Sequence, residues 1–458
     1  MKKRFLSFLL AVCLLLSMIP AAGAASAGTV EETPLTRGEA LAAIWQAEGS
    51  PAPASAEIPF TDLDGSPYQS AVAWAVERGI TNGVSATLFA PDDPVTRTQI
   101  AAFLYRAAGE PDKSGEGAWY ADALHWALRN IAVFGSALPQ STSGDDTCTR
   151  ESLDALLERR ADASEAEGGI YILYTSDVHC GIDRGFGYAG LSEIRAGLEA
   201  AGYATILVDD GDSVQGESIG TLSKGEALID LMNAVHYDLA IPGNHEFEYG
   251  MEQFMKFAET AAFPYLSCNF RKNGELVFAP YRILEAGGRK IGFVGVTTPW
   301  TMTTADAHLF VNDVGESLYD FLNDATGEML YTGVQDAVDA ARAEGADLVY
   351  VLGHLGNEAN ASPWNYADVI AHTTGIDVFF DGHSHDTDQV TMKNAAGDTV
   401  VRSACGTKLS SVGYSRITAD GKVAEVGIWS WSNSTAAPEV YAIRNEVRDA
   451  VDAAEAEV

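Results

Sequence analysis

Six short apolar runs, each followed at once by polar residues, restrict the fold of this chain more than any other feature. They begin after Gly169 and alternate with amphipathic stretches, and they read IYILYTSD, ATILVDDGD, DLAIPGN, KIGFVGVTT, ADLVYVLGH and IDVFFDGHSH. Runs this continuous suit strands that are buried on both faces of a sheet and covered by helices. The polar residues then gather at the carboxyl ends of the strands, where open α/β sheets place their sites. The sequence therefore predicts an α/β domain with a composite site.

The polar residues after these runs are mainly carboxylates, imidazoles and one amide. SDVH and GHSH each hold two such residues two positions apart, a spacing that puts both side chains on one face at a strand end. The predicted metal ligands are Asp177, His179, Asp212, Asn244, His354, His383 and His385. Apart from His245 in GNHE, the remaining histidines lack such neighbours and are interpreted as surface or packing residues; they are His125, His236, His308 and His372.

This set of ligands can hold two divalent cations side by side. The predicted grouping is Asp212 as a bridge, Asp177, His179 and His385 on one ion, and Asn244, His354 and His383 on the other. Imidazole, carboxylate and amide ligands without thiolate favour Mn, Zn, Fe or Co. Two such ions, about 3.5–4 Å apart, make a nucleophile from a bridging water for in-line displacement at phosphorus. If the residues only capped loops, each motif would need an explanation of its own.

The order D-x-H, GD, GNHE, GH, GHxH resembles that of the calcineurin-like metallophosphoesterases. Residues 209–250 and GVTTPWT are similar, more narrowly, to the catalytic domain of the 5′-nucleotidase family. The resemblance implies a four-layer α-β-β-α sandwich over residues 166–435. It also implies hydrolysis of phosphate esters, typically nucleoside monophosphates, UDP-sugars or 2′,3′-cyclic nucleotides.

The same resemblance makes His245 the catalytic histidine, which assists the transition state from beside the phosphate. Glu248 stands where the family has an aspartate that orients this histidine. A carboxylate one methylene longer should still reach the ring, so we expect reduced rather than abolished activity.

Three neighbours of the predicted ligands have interpretations of their own. Cys180 follows His179 directly, and we expect a packed thiol there, with an extra ligand or a redox switch as the alternative. Glu246 and Asp381 are predicted to orient imidazoles from behind.

The N-terminus has the pattern of a secretory signal peptide over residues 1–24. Basic residues precede an apolar run, and PAAGAASAG then offers small residues for cleavage after Ala24. The apolar run is shorter than the roughly 20 residues that span a bilayer, so we expect no transmembrane segment after cleavage. LAVC leaves a lipoprotein signal as an alternative. The four later cysteines are scattered, which predicts an exported protein without disulfides.

A formal charge of −35 argues against a protein that coats nucleic acid or anionic membranes. It does not exclude a small phosphorylated substrate, because bound metal ions can reverse the local sign of the charge.

Thr-Arg elements recur three times between the signal peptide and the α/β domain, at intervals of about 50–60 residues. Each begins a helical stretch, and TRGE and TRTQ form capping boxes. With Phe60-x-Asp62 they resemble S-layer homology repeats, over residues 25–165. The resemblance implies a small all-α domain that binds an anionic polysaccharide of a Gram-positive-type cell wall, with Arg37, Arg97 and Arg150 as candidate ligands. The alternative is a helical spacer that binds nothing.

Residues 436–458 show an apolar stripe at helical spacing, and they look like the linker helix that joins the two domains of 5′-nucleotidases. The usual second domain, which holds the base, does not follow. The expectations are a shortened reading frame or a helix that packs on its own domain or on a second chain. In either case we expect weak selectivity for the nucleobase.

Two other functions remain open at this point. One is a phosphodiesterase for 2′,3′-cyclic nucleotides, or an esterase for another phosphorylated or sulfur-bearing ester. The other is a surface binding or scaffold protein whose metal domain is inactive.

Overall fold

The computed structural model describes residues 34–109 without 56, residues 169–430 without 183 and 358–360, and scattered positions between 123 and 157 and from 450 onward. The predicted signal peptide, His125 and the apolar residues that form the stripe within residues 436–458 lie outside the described residues. Within the described part of the chain, no helix combines the length and the apolar character needed to cross a membrane.

The N-terminal part of the described chain is helical, as predicted. Its helices are α1 (Arg37–Ala47), α2 (Gln69–Glu77) and α3 (Arg97–Ala107), with a 3₁₀ turn at Thr61–Leu63. The capping boxes are confirmed: Thr36 accepts from the backbone N–H of Glu39, and Thr96 accepts from that of Gln99. In the Phe60-x-Asp62 motif, the Asp62 carboxylate accepts from the backbone N–H groups of Phe89 and Ala90. The motif therefore closes the loop ahead of α3.

The three Thr-Arg elements are joined through the residues two positions before each arginine. The N–H of Leu35 donates to the carbonyl of Cys148, at 2.8 Å; Val95 donates to Leu35, at 2.8 Å; and Cys148 donates to Val95, at 3.1 Å. These three hydrogen bonds close a ring, so each element occupies an equivalent position. The repeat in the sequence is thus a repeat in space.

The second region is built of strands and helices in alternation. Its helices are α4 (Gly187–Ala200), α5 (Ser218–Ser223), α6 (Glu226–Val235), α7 (Met251–Thr260), α8 (Thr301–Thr304), α9 (Glu328–Ala343) and α10 (Tyr366–His372). Short 3₁₀ turns lie at His245–Phe247 and Ala307–Phe310. The strands are β1 (Ile170–Thr175), β2 (Ala204–Asp209), β3 (Leu239–Ala240), β4 (Arg271–Lys272), β5 (Glu275–Leu276), β6 (Tyr281–Ala286), β7 (Arg289–Thr297), β8 (Tyr319–Asp320), β9 (Leu348–His354), β10 (Val378–Asp381), β11 (Thr387–Lys393), β12 (Thr399–Cys405), β13 (Ser411–Ile417) and β14 (Val423–Ser430).

Two large sheets contain most of these strands. One has the order β14-β13-β1-β2-β3 and the other β11-β12-β10-β9-β7-β6, while β5-β4-β8 form a small third sheet. In the first sheet β1, β2 and β3 are parallel. In the second, β7, β9, β10 and β12 are parallel. The carboxyl ends of the parallel strands in each sheet therefore share one edge.

The two sheets pack face to face, with helices on both outer faces. Ile172 of β1, Val208 of β2 and Tyr350 of β9 share the core between the sheets. Alternate residues face outward: Leu173 joins the cluster that contains α4 and α6, and Val351 joins the cluster that contains α9 and α10. This alternation confirms the predicted four-layer α-β-β-α sandwich. All six predicted strands form, but β3 is only two residues long.

Candidate metal centre and active site

The motif residues from both sheets meet at the carboxyl ends of the parallel strands. Three groups have ligand atoms within 4.8 Å of one another, and they are Asp177 with His179 and His385, Asp212 with His354 and His383, and His179 with Asp212 and His245. His179 and Asp212 each belong to two groups, so the groups form one continuous cluster. Among the described histidines, His236, His308 and His372 lie outside it.

The first group draws on both sheets. Nε2 of His179 lies 3.0 Å from Nε2 of His385, and the latter lies 3.4 Å from Oδ1 of Asp177. Two imidazole nitrogens at this distance aim at the same space, as two ligands of one cation would. Burial lowers the pKa of His179, which favours the neutral ring that a metal needs. The contact with Asp177 raises the pKa of His385.

The second group centres on a buried ion pair. Nε2 of His354 lies 2.9 Å from Oδ2 of Asp212. Burial opposes both charges, yet His354 keeps the pKa of Asp212 below its usual range, and Asp212 keeps the pKa of His354 well above its usual range. The pair therefore shares a proton at a position where a divalent cation could replace it.

Asn244 shows most directly that the cluster fits a metal. Its side chain is 3% exposed, and its Oδ1 has no hydrogen-bond partner among the described residues. A buried carbonyl oxygen without a partner costs about 1–3 kcal/mol. A cation held by Asn244 together with the Asp212, His354 and His383 group would supply the missing partner. Oxygen and imidazole donors of this kind fit a divalent transition metal.

Backbone carbonyls orient two of the imidazoles. Nδ1–H of His179 donates to the carbonyl of Gln215, at 2.9 Å, and Nδ1–H of His354 donates to that of Asp210, at 2.7 Å. Because a carbonyl can only accept, each bond keeps the proton on Nδ1, so that Nε2 is the nitrogen that faces the cluster and could hold a cation.

The loops that carry the ligands adopt uncommon backbone conformations. The residues with left-handed φ among the predicted ligands are Asp177, His179, Asp212, His383 and His385. Such conformations cost energy in residues other than glycine and cluster at functional sites. A Cβ on Gly243 would lie 2.2 Å from Oδ1 of Asp212, and one on Gly382 would lie 2.1 Å from Oγ of Ser176. Glycine in the GN and GH motifs therefore lets the loops approach each other.

Glu246 and Asp381 contact the backbone rather than imidazoles, which corrects the interpretation made from the sequence. Glu246 accepts from the N–H groups of Gly243, Asp212 and Ser213, at 2.6–2.9 Å. It thereby ties the GDS loop to the GNHE loop. The physical reason is that a loop without regular structure leaves backbone N–H groups unpaired. A buried carboxylate nearby accepts hydrogen bonds from these groups before it can bond an imidazole.

Asp381 does the same in the second sheet, with a partner that the sequence analysis missed. It accepts from the N–H of Leu355, at 3.0 Å, and from Nη2 of Arg402, at 2.8 Å. Arg402 is fully buried, bonds Asp388 as well, and stacks on Tyr366 at 4.3 Å. The only feature of the sequence that could have indicated this partner is a single arginine within the apolar run of β12. Arg402 thus braces the loops that follow His354 and precede His383.

His245 and Glu248 lie beside the cluster. Nδ1 of His245 bonds Oε1 of Glu248, so the longer carboxylate does reach the ring. Nε2 of His245 lies 4.0 Å from Oδ2 of Asp212 and thus faces the cluster. The His245 side chain is 30% exposed, which leaves it open to a substrate.

Cys180 is a packed thiol, as the sequence analysis favoured. Its side chain is buried, with Sγ 3.9 Å from the carbonyl of Ser213, and burial raises the pKa of the thiol to about 12. Cys148, Cys180, Cys268 and Cys405 are all buried.

The three arginines of the Thr-Arg elements lie in unlike surroundings. Arg37 is 4% exposed, its Nε donates to the carbonyl of Phe89, and its guanidinium lies 4.9 Å from the Phe89 ring centre. Packing against Phe89 therefore accounts for Arg37, and little of its surface is left for a polymer. Arg97 is half-buried. Arg150 is exposed and pairs with Asp154 at 2.8 Å.

The fold and the histidine–carboxylate cluster resemble those of metallophosphoesterases, and the comparisons with known proteins agree. Residues 170–387 match the family described as calcineurin-like phosphoesterase, and residues 59–101 match the S-layer homology domain. The chain thus contains a region that matches the calcineurin-like phosphoesterases, a family that uses divalent metals. The S-layer homology domain indicates attachment at the cell surface.

Relatives of known name narrow the comparison. The trifunctional nucleotide phosphoesterase protein YfkN of Bacillus subtilis is 27% identical over 254 residues, which cover 47% of this chain and 16% of that protein. Human 5′-nucleotidase is 29% identical over 235 residues, covering 47% of this chain and 38% of the human protein. The chain therefore spans well under half the length of either relative.

A solved structure shows the same fold. The 5′-nucleotidase precursor of Thermus thermophilus aligns with a TM-score of 0.51 and 22% identity, over 63% of this chain and 58% of that one. At this identity the likeness concerns the fold alone.

Proposed function

We propose that this protein is a secreted, cell-wall-attached phosphohydrolase that holds two divalent cations and cleaves phosphate esters of nucleotides. The observation that carries the proposal is the continuous cluster around Asp212, with the unpartnered Oδ1 of Asn244 at its side. A cluster built only to cap loops would satisfy that oxygen from within the protein.

The predicted ligands divide between the two cations as their geometry suggests. Asp177, His179 and His385 would hold one, and Asn244, His354 and His383 would hold the other. Asp212 shares one group with His179 and another with His354 and His383, so it could serve both. When bound, two such cations would lower the pKa of a water and offset the charge that develops on the phosphate oxygens. Mn, Zn, Fe or Co suits this donor set.

His245 acts on the phosphate from the side of the first sheet. Glu248 accepts a hydrogen bond from Nδ1–H of His245, which holds the ring with Nε2 toward the cluster. His245 can then donate a hydrogen bond to a phosphate oxygen, or a proton to the departing alkoxide. A group that acts in this way contributes roughly 10²–10⁴ in rate.

Nucleotides are the proposed substrates because the named relatives are a nucleotide phosphoesterase and a 5′-nucleotidase. The formal charge of −35 is no obstacle, since bound cations would make the site locally positive.

The test is a panel of phosphate esters assayed after EDTA treatment and again after addition of Mn²⁺ or Zn²⁺. We expect hydrolysis of AMP and p-nitrophenyl phosphate that EDTA abolishes and metal restores, with Asp212→Asn and His245→Ala as inactive controls. No metal-dependent hydrolysis of any ester would contradict the enzymatic function and favour an inactive surface protein.

A diesterase is the second candidate. The relative YfkN is named a trifunctional nucleotide phosphoesterase, a name that covers more than one activity. A kcat/KM for 2′,3′-cyclic AMP well above that for AMP would favour this candidate, and the reverse ratio would favour a nucleotidase.

Attachment to the cell wall is tested separately with the full chain. We expect it to pellet with purified Gram-positive sacculi that retain their anionic polysaccharide and to stay in solution once that polysaccharide is removed. Equal pelleting in both cases would contradict recognition of the polymer.

A further inference from the structure

Trp300 lies beside the cluster but takes no part in holding cations. It follows β7 by three residues, and Thr297, the last residue of β7, pairs in register with His354 of β9. The segment after β7 therefore runs next to the loop after His354. The Trp300 indole meets the ring of His383 edge to face, with ring centres 6.3 Å apart.

The backbone holds Trp300 firmly at this place. Its N–H donates to Oγ1 of Thr298, at 3.2 Å, and its carbonyl accepts from the N–H of Thr303, at 2.7 Å. Thr298 and Thr301 on either side are buried, whereas Trp300 keeps part of its surface exposed. The indole is thus presented by a fixed turn.

The same segment reaches the other side of the site. Phe310, ten positions further on, packs against Phe247 with ring centres 5.6 Å apart, and Phe247 follows His245 by two residues. Residues 300–310 therefore connect the surroundings of His383 with the loop of His245. Trp300 lies at the His383 end of this segment.

An accessible indole does not suit the charged part of a substrate. The phosphate is drawn to cations, His245 and other polar groups, while an exposed apolar ring next to them gains most by covering another apolar or aromatic surface. In a phosphate ester the remaining part is the organic group. Every nucleobase has a π-face, and stacking on an aromatic side chain is tolerant of base identity.

We propose that Trp300 binds the nucleobase of the substrate by stacking and so makes this domain selective for esters with an aromatic group. The proposal rests on the proposed phosphohydrolase function and adds to it the residue that binds the base. It accounts for base binding within the described domain and is consistent with weak discrimination among bases.

The kinetic test compares AMP with glycerol 2-phosphate, which has no ring. Trp300→Ala should lower kcat/KM for AMP by about 10-fold and leave that for glycerol 2-phosphate unchanged. Trp300→Phe, which keeps an aromatic face, should retain most activity on AMP. Equal losses on both substrates would show that Trp300 only supports His383, and no loss on either would likewise overturn the proposal.

A binding test separates this proposal from the function on which it rests. Adenosine carries no phosphate, so it should quench the tryptophan fluorescence of the full chain whether or not esters are hydrolysed. Trp300→Phe should remove the quenching. The matched control is Trp364→Phe, because Trp364 donates its indole N–H to the carbonyl of Asp324 and should not respond to adenosine. Quenching that survives in Trp300→Phe would refute the stacking role even in an active enzyme.

Discussion

The helical repeats and the phosphoesterase domain use sequence motifs in opposite ways. In the repeats one motif occurs three times at equivalent positions, yet Arg37 is buried, while Arg150 is exposed. In the phosphoesterase domain, dissimilar motifs from two sheets converge on one cluster. A repeated motif thus indicates that the backbone has the same geometry at each copy. Different motifs that converge in space indicate that their side chains act together chemically.

The largest expected effect comes from the residue common to two groups of the cluster. Asp212→Asn removes the charge opposite His354 and should reduce metal-dependent hydrolysis below detection, because neither cation keeps its full ligand set. Hydrolysis of p-nitrophenyl phosphate and bound metal should be measured together. Asp320→Asn, which removes a carboxylate paired with Arg271, is the control and should keep both properties. Retained activity in Asp212→Asn would contradict the claim that the motifs converge on one cluster around Asp212.

His245→Ala separates catalysis from metal binding. We expect kcat to fall by roughly 10²–10⁴-fold, the range for a general acid, while the metal content stays that of the wild type. His372→Ala alters an exposed histidine outside the cluster and should leave kcat unchanged. Loss of metal from His245→Ala would mean that His245 is a ligand instead.

Arg402→Gln tests whether the buried bracing matters to the cluster. Leaving Asp381 without its partner should destabilise the domain by about 3–5 kcal/mol and weaken metal affinity by about 10–100-fold. Denaturant unfolding and metal titration provide the two readouts. A purely structural role would lower stability and leave metal affinity unchanged.

Substitution of Glu248 should change kcat less than substitution of His245, because Glu248 acts through His245. Glu248→Ala should lower kcat by about 10-fold with little change in KM, and Glu248→Asp should raise kcat if the longer side chain is suboptimal. An unchanged kcat in Glu248→Ala would remove Glu248 from the mechanism.

The repeats should show the smallest effects on activity and a clear contrast in stability. Arg37→Ala loses a buried hydrogen bond and a cation–π contact, and should destabilise the helical region by about 2 kcal/mol. Arg150→Ala, at a side chain that is 57% exposed, should change stability by less than about 0.5 kcal/mol. Equal destabilisation in a thermal melt would contradict the different surroundings of these arginines.

The fold could be predicted largely from local patterns. Apolar runs gave the strands, and Thr36 and Thr96 marked the starts of α1 and α3, because strand burial and helix capping depend on neighbours in sequence. The motif residues around Asp212 could be chosen for the same reason, since each follows a strand. Their roles as ligands stay predictions that the experiments above address.

What the sequence could not reveal depends on distant partners. Arg402 bonds Asp381 across 21 positions, and Arg37 bonds the carbonyl of Phe89 across 52. The roles of Glu246 and Asp381 were misread because the donors they satisfy are backbone N–H groups, which no side-chain pattern displays. The position of Trp300 beside the cluster could not be predicted, because its neighbour His383 follows a different strand.

The most direct test of the central claim is the number of metal ions per chain, measured by native mass spectrometry after reconstitution with Mn²⁺. The cluster should bind two ions per chain in the wild-type protein, and Asp212→Asn should lose both together. A wild-type chain that binds none, or two ions that persist in Asp212→Asn, would contradict the account of a cluster centred on Asp212.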